Sequence, residues 1–246
     1  MILSELEGRE RVTVEDLSRR LGVSKVTIRG DLETLQREGL LHRTRGGAVR
    51  PLAPHTEQPL EETRKQRAAE KRRIGALAAG LIREGDTVFL DVGSTATEIA
   101  RSLSPLLRGV TVITPGLNIA MELEKLPGIT VVVTGGTLRR LQHSLVNPFG
   151  TTLLSALHAD KLFLGCNGVS AAAGVTNRNL EEAEIKRSMV AGAREIFVVA
   201  DHSKLGHVST ALITPLSQVT AVITDRGAAP DALAELREVG VDVLTA

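Results

Sequence analysis

Cysteine occurs once in 246 residues, at Cys166, which excludes an intramolecular disulfide framework and the usual cysteine-rich zinc sites. No metal and no other cofactor is expected, and the reducing cytoplasm is the expected compartment. No apolar run approaches the roughly 18 residues of a membrane-spanning helix, and no signal peptide precedes the fold, so neither membrane insertion nor export is expected. A dominant charge is also missing: 30 Lys and Arg face 29 Asp and Glu, a net of +1. That balance says little about partners, and the position of charges matters more than their sum. Repeats and low-complexity tracts are absent too. The length leaves room for a small domain beside one core of ordinary size.

What is present begins with residues 12–41, which read as two short helices joined by a tight turn, a device for entering the major groove of DNA. Leu17 and Leu21 lie four apart on one face of the first helix, while Glu15, Arg19 and Arg20 stay solvated. Gly22 stops that helix by accepting a left-handed conformation, Val23 packs into the corner, and the Ser24 hydroxyl caps the second helix. Ile28, Leu32 and Leu35 form one apolar stripe. The far face then carries Val26, Arg29, Gly30, Glu33 and Arg37, flanked by Lys25 and Thr27 near the end that meets base edges.

Residues 41–50 hold three arginines and no acid, and Gly46-Gly47 suits the tip of a two-stranded wing. Such a wing lays Arg43 and Arg45 against phosphates or into a minor groove. A helix-turn-helix pattern alone also describes a helical hairpin inside an enzyme, but the basic wing at this distance favours the DNA reader. The candidate DNA contacts are Ser24, Lys25, Val26, Thr27, Arg29, Gly30, Arg43, Arg45, Gly46 and Gly47. Residues 1–8 resemble only the last two turns of a helix, with Ile2, Leu3 and Leu6 apolar. Either the start lies upstream or the first helix is clipped and the DNA-binding head less stable.

Pro51, Pro54 and Pro59 mark a linker at residues 51–60, between a domain of residues 1–50 and one of 61–246. Residues 61–73 carry six basic and three acidic side chains and read as a charged helix, a solvated connector or a source of extra phosphate contacts. Beyond it, short apolar strands at 87–91, 110–114, 129–134, 161–165, 195–200, 221–224 and 241–244 alternate with helical patterns at 76–82, 95–103, 117–126, 180–193 and 231–239. The pattern is α/β with a mostly parallel sheet.

Ligands of such sheets bind beyond the carboxyl ends of strands. After the first strand, Asp91-Val-Gly-Ser-Thr-Ala-Thr97 sets Gly93 for close backbone approach and the hydroxyls of Ser94, Thr95 and Thr97 at a helix start, as a phosphate cradle would or as simple capping would. Further strand ends bring Asn118, Gly136 with Arg139, Asn167 in Gly165-Cys-Asn-Gly168, and Asp201-His-Ser-Lys204. Arg139 and Lys204 can neutralise a phosphate, and Asp91, Asn118, Asn167 and Asp201 can bind hydroxyls. Each has a plainer role open to it: the asparagines shaping turns, Asp201 capping a loop, Arg139 solvated.

The stretches Leu21-Gly-Val-Ser-Lys-Val-Thr-Ile-Arg-Gly-Asp-Leu32, Glu38-Gly-Leu-Leu41 and Arg43-Thr-Arg-Gly-Gly-Ala48 resemble the N-terminal winged helix of the DeoR family of bacterial transcriptional regulators. Two departures are Gly30, where the family usually has a basic residue, and Arg45, where it usually has histidine. Residues 71–79, 85–95, 160–165, 182–187 and 200–204 are similar to the DeoR-type sensor domain, which is related in fold to ribose-5-phosphate isomerase. The resemblance implies a phosphorylated sugar or sugar derivative as effector, and it makes Asp91, Ser94, Thr95, Glu184, Lys186, Asp201 and Lys204 ligand candidates. Ala96 replaces a usual threonine.

Two functions follow. In the first, a homo-oligomer, dimer or tetramer, sets winged helices on double-stranded operator DNA and represses a carbohydrate-metabolism operon until the sugar phosphate binds. The alternative is a sugar-phosphate isomerase-type enzyme with a DNA-binding appendage, with Asp91, Glu184 or Asp201 as base. An attached DNA reader is better explained by sensing than by catalysis, so no catalytic residue is expected.

Overall fold

The computed structural model describes residues 2–7, 11–37, 40–44, 46–49 and 57–246. It divides into two compact units, residues 1–57 and 58–246. Arg45 and residues 51–56 of the expected linker lie outside the described residues.

In the first unit, α1 (Ile2–Glu7), β1 (Arg11–Thr13), α2 (Val14–Leu21) and α3 (Lys25–Arg37) precede β2 (His42–Thr44) and β3 (Gly47–Val49). Thr13 caps α2 by accepting the Asp16 amide at 3.0 Å. Gly22 closes the helix with φ 68°, the left-handed geometry expected of it. Ser24 accepts the Thr27 amide at 3.1 Å and starts α3. Ile2, Leu6, Leu17, Ile28, Leu32 and Leu41 close the core, whereas Leu21 and Leu35 are half-buried. Val23 remains 38% exposed instead of filling the corner, and the core is closed without it by residues of α1, α2, α3 and the sheet. The wing gains a third strand: β3 lies between β1 and β2, antiparallel to both.

The second unit runs α4 (Leu60–Lys65), α5 (Ala68–Ala79), β4 (Thr87–Leu90), α6 (Ser94–Ser102), β5 (Val110–Thr114), α7 (Leu117–Leu123), β6 (Ile129–Val133), β7 (Thr137–Arg139), β8 (Ser144–Val146), α8 (Phe149–Leu154) and β9 (Ala159–Leu164). It continues with β10 (Gly168–Ser170), β11 (Gly174–Asn177), α9 (Leu180–Gly192), β12 (Ala193–Val199), β13 (Ala211–Thr214), β14 (Ala221–Thr224), α10 (Pro230–Glu238) and β15 (Asp242–Thr245). The seven apolar runs of the sequence become one parallel sheet, ordered β15-β14-β12-β9-β4-β5-β6. Its two faces are covered by separate apolar layers, one around Phe89, Leu162 and Met189 and the other around Leu90, Ile99 and Phe163. Strand order reverses beside β4, so the crevice between the carboxyl ends of β4 and β9 is the topological switch point.

Three features depart from expectation. The hairpin β7–β8 and the small antiparallel sheet β10-β11-β13 interrupt the α/β alternation. Residues 61–73 are mostly exposed, as a solvated connector would be, but they form two helices broken at Gln66 and Arg67 where one was expected, and Lys71 is buried, as are Leu60 and Ile74 on either side. Burial follows from the tight approach of α5 to α6: a Cβ on Gly75 would stand 2.7 Å from the Glu98 carbonyl carbon. No helix among the described residues is long and apolar enough to cross a membrane.

Candidate DNA-reading surface and effector site

Burial of Ile28 and Leu32 fixes the rotation of α3 and leaves Lys25, Val26, Thr27, Arg29 and Gly30 exposed on its first turns, Val26 by 76%. Ser24 and Thr27 are engaged with each other at 2.9 Å as well as in the cap. Lys25 pairs with Glu15 at 3.2 Å and Arg43 with Glu33 at 3.8 Å, all of them exposed. Exposed pairs of this kind are weak, so both cations remain exchangeable for phosphate. Gly46 turns the wing at φ 85°, and Gly47 stands apart from it, buried in the central strand where a Cβ would meet the Val12 carbonyl oxygen at 2.0 Å.

At the switch point Asp91 is fully buried. Its Oδ2 accepts the Gly165 amide and the Lys186 ammonium, each at 2.8 Å, while Oδ1 has no hydrogen-bond partner among the described residues. Lys186 also donates to the Gly165 carbonyl at 2.9 Å. Burial pushes the Asp91 carboxyl above its ordinary range against the pull of Lys186. Burial would lower Lys186, but Asp91 and Glu182 outweigh it and hold the ammonium up, hence charged. Gly165 permits the pairing, since a Cβ there would sit 3.2 Å from Asp91 Oδ2.

Beside this pair, Gly93 adopts φ 103° and ψ 176°, a conformation essentially reserved for glycine, with open space where a Cβ would project. Ser94 and Thr95 follow, half-buried, and their hydroxyls have no partner among the described residues. Thr97 is committed instead: it donates to the Gly93 carbonyl at 2.9 Å and accepts Asn118 Nδ2 at 2.8 Å. The Asn118 Oδ1 is a second buried acceptor without a partner among the described residues. Ala96 is buried, so the side chain at that position faces the core.

Other candidates land elsewhere. Glu184 lies on the exposed face of α9 and takes a hydrogen bond from Asn147, because two residues along a helix turn a side chain about 200° away from Glu182 and Lys186. The carboxylate that does point inward is Glu182, one turn before Lys186, which sequence reasoning passed over although the i, i+4 spacing identifies it. Glu182 accepts from Arg139, from Ser144 at 3.0 Å and from Asn177 at 3.3 Å. Arg139 is therefore ion-paired, not solvated. Asn167 is exposed and ties its loop to the end of β11 by accepting the Arg178 amide at 2.7 Å. Gly136 lets β7 pack on β8, since a Cβ would meet the Val146 carbonyl oxygen at 1.9 Å.

On the far side of the cradle, Asp201 caps its own loop through the Ser203 amide at 3.1 Å and lies 3.7 Å from Arg67. The half-buried Lys204 ammonium has no partner among the described residues. Lys71, also missed from sequence, is 6% exposed, donates to the Thr63 carbonyl at 2.6 Å and has Asp201, Lys204, Arg67 and Glu98 as electrostatic neighbours. Burial, reinforced by Lys204 and Arg67 against the pull of Asp201, brings its ammonium down to about 8. The Cys166 thiol is pushed up to about 11 by burial and is protonated at neutral pH. No cluster that could hold a metal exists among the described residues.

A winged helix-turn-helix joined to a parallel α/β sheet with a polar switch point is the plan of a DNA-binding transcriptional regulator. Residues 1–52 match the DeoR-like helix-turn-helix domain, and residues 66–226 match the DeoR C terminal sensor domain. The chain is 36% identical over 245 residues to the putative aga operon transcriptional repressor of Escherichia coli O157:H7, covering 99% of this chain and 91% of that protein. It is 36% identical over 225 residues to the HTH-type transcriptional repressor GlcR of Bacillus subtilis, covering 92% and 86%. The chain belongs to the DeoR family. In fold, 55% of it overlays 52% of ribose 5-phosphate isomerase A from Methanocaldococcus jannaschii, with 20% identity and a TM-score of 0.39.

Proposed function

We propose that this regulator is a cytoplasmic homo-oligomer that represses a carbohydrate-metabolism operon, and that a phosphorylated sugar or sugar derivative at the switch point releases it from operator DNA. One observation carries the effector reading: two buried acceptor oxygens, on Asp91 and Asn118, without hydrogen-bond partners among the described residues flank a helix start whose Ser94 and Thr95 hydroxyls likewise have none there. Buried acceptors left unmade are costly, and the hydroxyls of a sugar are the donors they lack. The amides and hydroxyls at residues 93–95, with Lys204, which has no partner among the described residues, suit the phosphate.

The contacting set is Asp91, Gly93, Ser94, Thr95, Asn118, Lys186 and Lys204, with Asp201 and Arg139 acting through their ion pairs. On the DNA side it is Lys25, Val26, Arg29, Arg43 and the tip at Gly46, with Arg45 as the wing's further cation. Two copies are needed because paired half-sites require paired recognition helices. Repression is supported by two relatives that are themselves named transcriptional repressors.

Sensing is favoured over catalysis by the state of the carboxylates. Asp91 is tied to Lys186, Asp201 caps its loop and Glu184 faces solvent away from the crevice, so none is poised as a free base. A panel of pentose and hexose phosphates is tested by thermal shift on the full chain and by release of a duplex selected from a random pool. At least one member should raise the melting temperature and release the duplex. A panel that does neither, or a member that is isomerised with turnover, overturns the reading.

A further inference from the structure

Among the described residues only Arg67 and His143 hold non-glycine backbone at positive φ, at 50° and 53°. This conformation costs such residues about 1–2 kcal/mol each and persists where surrounding structure imposes it. Both residues touch the same segment. His143 sits in the turn of the β7–β8 hairpin and its Nε2 meets Glu61 at 2.9 Å. Arg67 ends that segment, 3.4 Å from His202 Nε2 and 3.7 Å from Asp201.

Between them, residues 58–67 form a strap with both ends fastened. At one end the Leu60 amide donates to the Leu141 carbonyl at 2.8 Å, Gln142 Nε2 donates to the Gln58 carbonyl at 2.7 Å, and Leu60 is buried. At the other, the buried Lys71 ammonium holds the Thr63 carbonyl, and His202 is itself anchored on Asp225 at 2.8 Å. The first clasp continues into the crevice: the hairpin strands give Arg139 and Ser144 to Glu182, and one turn along α9 Lys186 meets Asp91. The turn also reaches β5's end, where the His143 carbonyl accepts the Leu117 amide at 2.9 Å, next to Asn118. The second clasp ends on Asp201, beside Lys204.

We infer that residues 58–67 are the transmission strap of the switch: the state of the crevice sets how firmly the strap is clasped, and the strap carries that state along the chain to the DNA-binding unit. The inference rests on the effector reading above and deepens it by naming its output. Glu182 and Ser144 act here as positioning residues, since neither touches the strap or a reacting group. An anion drawn to Lys204 enters the charge cluster of Lys71, Arg67 and Asp201, where it competes with Asp201 for Arg67 and with the Thr63 carbonyl for Lys71 and loosens the second clasp. Relief of strain at Arg67 and His143 favours the released form once either clasp opens.

The test uses the full chain and needs no effector. Hydrogen exchange is followed in the peptide covering residues 58–67 for the wild type, Glu182→Gln and Ser144→Ala. Both variants should exchange there about fivefold or more faster, with β4 and β9 unchanged. If Glu182→Gln fails to fold, Ser144→Ala, which removes one hydroxyl, still decides. Folded variants whose strap exchanges as in the wild type overturn the inference. Because the strap is proposed to bias the DNA-binding unit, Arg67→Ala should shift the affinity for the selected duplex severalfold, and an unchanged affinity likewise counts against the strap. Coupled exchange in a protein that no sugar phosphate stabilises would leave the strap standing and remove the effector reading alone.

Discussion

Removing Lys186 should destabilise the sensor unit by an amount that depends on pH in a calculable way. Lys186→Met keeps most of the side-chain volume but leaves Asp91, fully buried, without its cationic partner, and it strips the Gly165 carbonyl of a donor. Breaking one half of a buried ion pair costs about 3–5 kcal/mol, because the survivor is a charge without compensation. Asp91 can escape by taking a proton on folding. In the variant its folded pKa lies above the unfolded value of about 3.9, so the folded chain binds more protons and stability rises as pH falls. Each pH unit between the unfolded and the variant's folded pKa is worth about 1.4 kcal/mol, so the cost should be smaller at pH 5 than at pH 7. Asp91→Asn combined with Lys186→Met should lose that dependence. With no tryptophan or tyrosine in the chain, urea unfolding is best followed by far-ultraviolet circular dichroism. A cost below about 1 kcal/mol, or one equal at pH 5 and pH 7, would refute the assignment of a buried, mutually dependent pair.

Two glycines of the first unit should respond oppositely to alanine. Gly30 has open space where a Cβ would go, so Gly30→Ala should stabilise α3 by up to about 1 kcal/mol, whereas Gly47→Ala drives a methyl into the Val12 carbonyl and should cost ~1–3 kcal/mol in thermal unfolding. In duplex binding, Arg43→Ala should weaken affinity evenly across sequences and lower the salt slope by about 0.9, while Arg29→Ala should relax base preference. If Arg29→Ala leaves preference intact, the face assigned to α3 is wrong. Lys71 titrates near 8 in the folded chain and near 10.4 unfolded, so between those values the unfolded chain binds more protons and stability rises with pH. Lys71→Met should abolish that rise, at most ~3 kcal/mol, and equal pH profiles for variant and wild type would contradict the burial of the ammonium.

Legibility from sequence was greatest where structure depends on neighbours within a few residues. The left-handed turn at Gly22, the Ser24 cap and the burial of Ile28 and Leu32 are local consequences of backbone freedom, side-chain donors and helical period. The seven apolar runs became the seven parallel strands for the same reason: strands covered on both faces must be apolar throughout. The hairpin β7–β8 escaped because Thr137–Arg139 and Ser144–Val146 are three residues each, too short for period 2 to show.

The amino-acid sequence by itself determined that a winged reader precedes a parallel sheet and that polar residues gather at the strand ends. Tertiary structure alone decided which of them meet. It chose Glu182 over Glu184 for the crevice, set Arg139 against that carboxylate across 43 positions, and buried Lys71 beneath a helix break. Periodicity assigns a residue to a face of its own element. A partner far along the chain is assigned only when packing brings two elements together, and with it come the cost of burial and the charge state that make the site a switch.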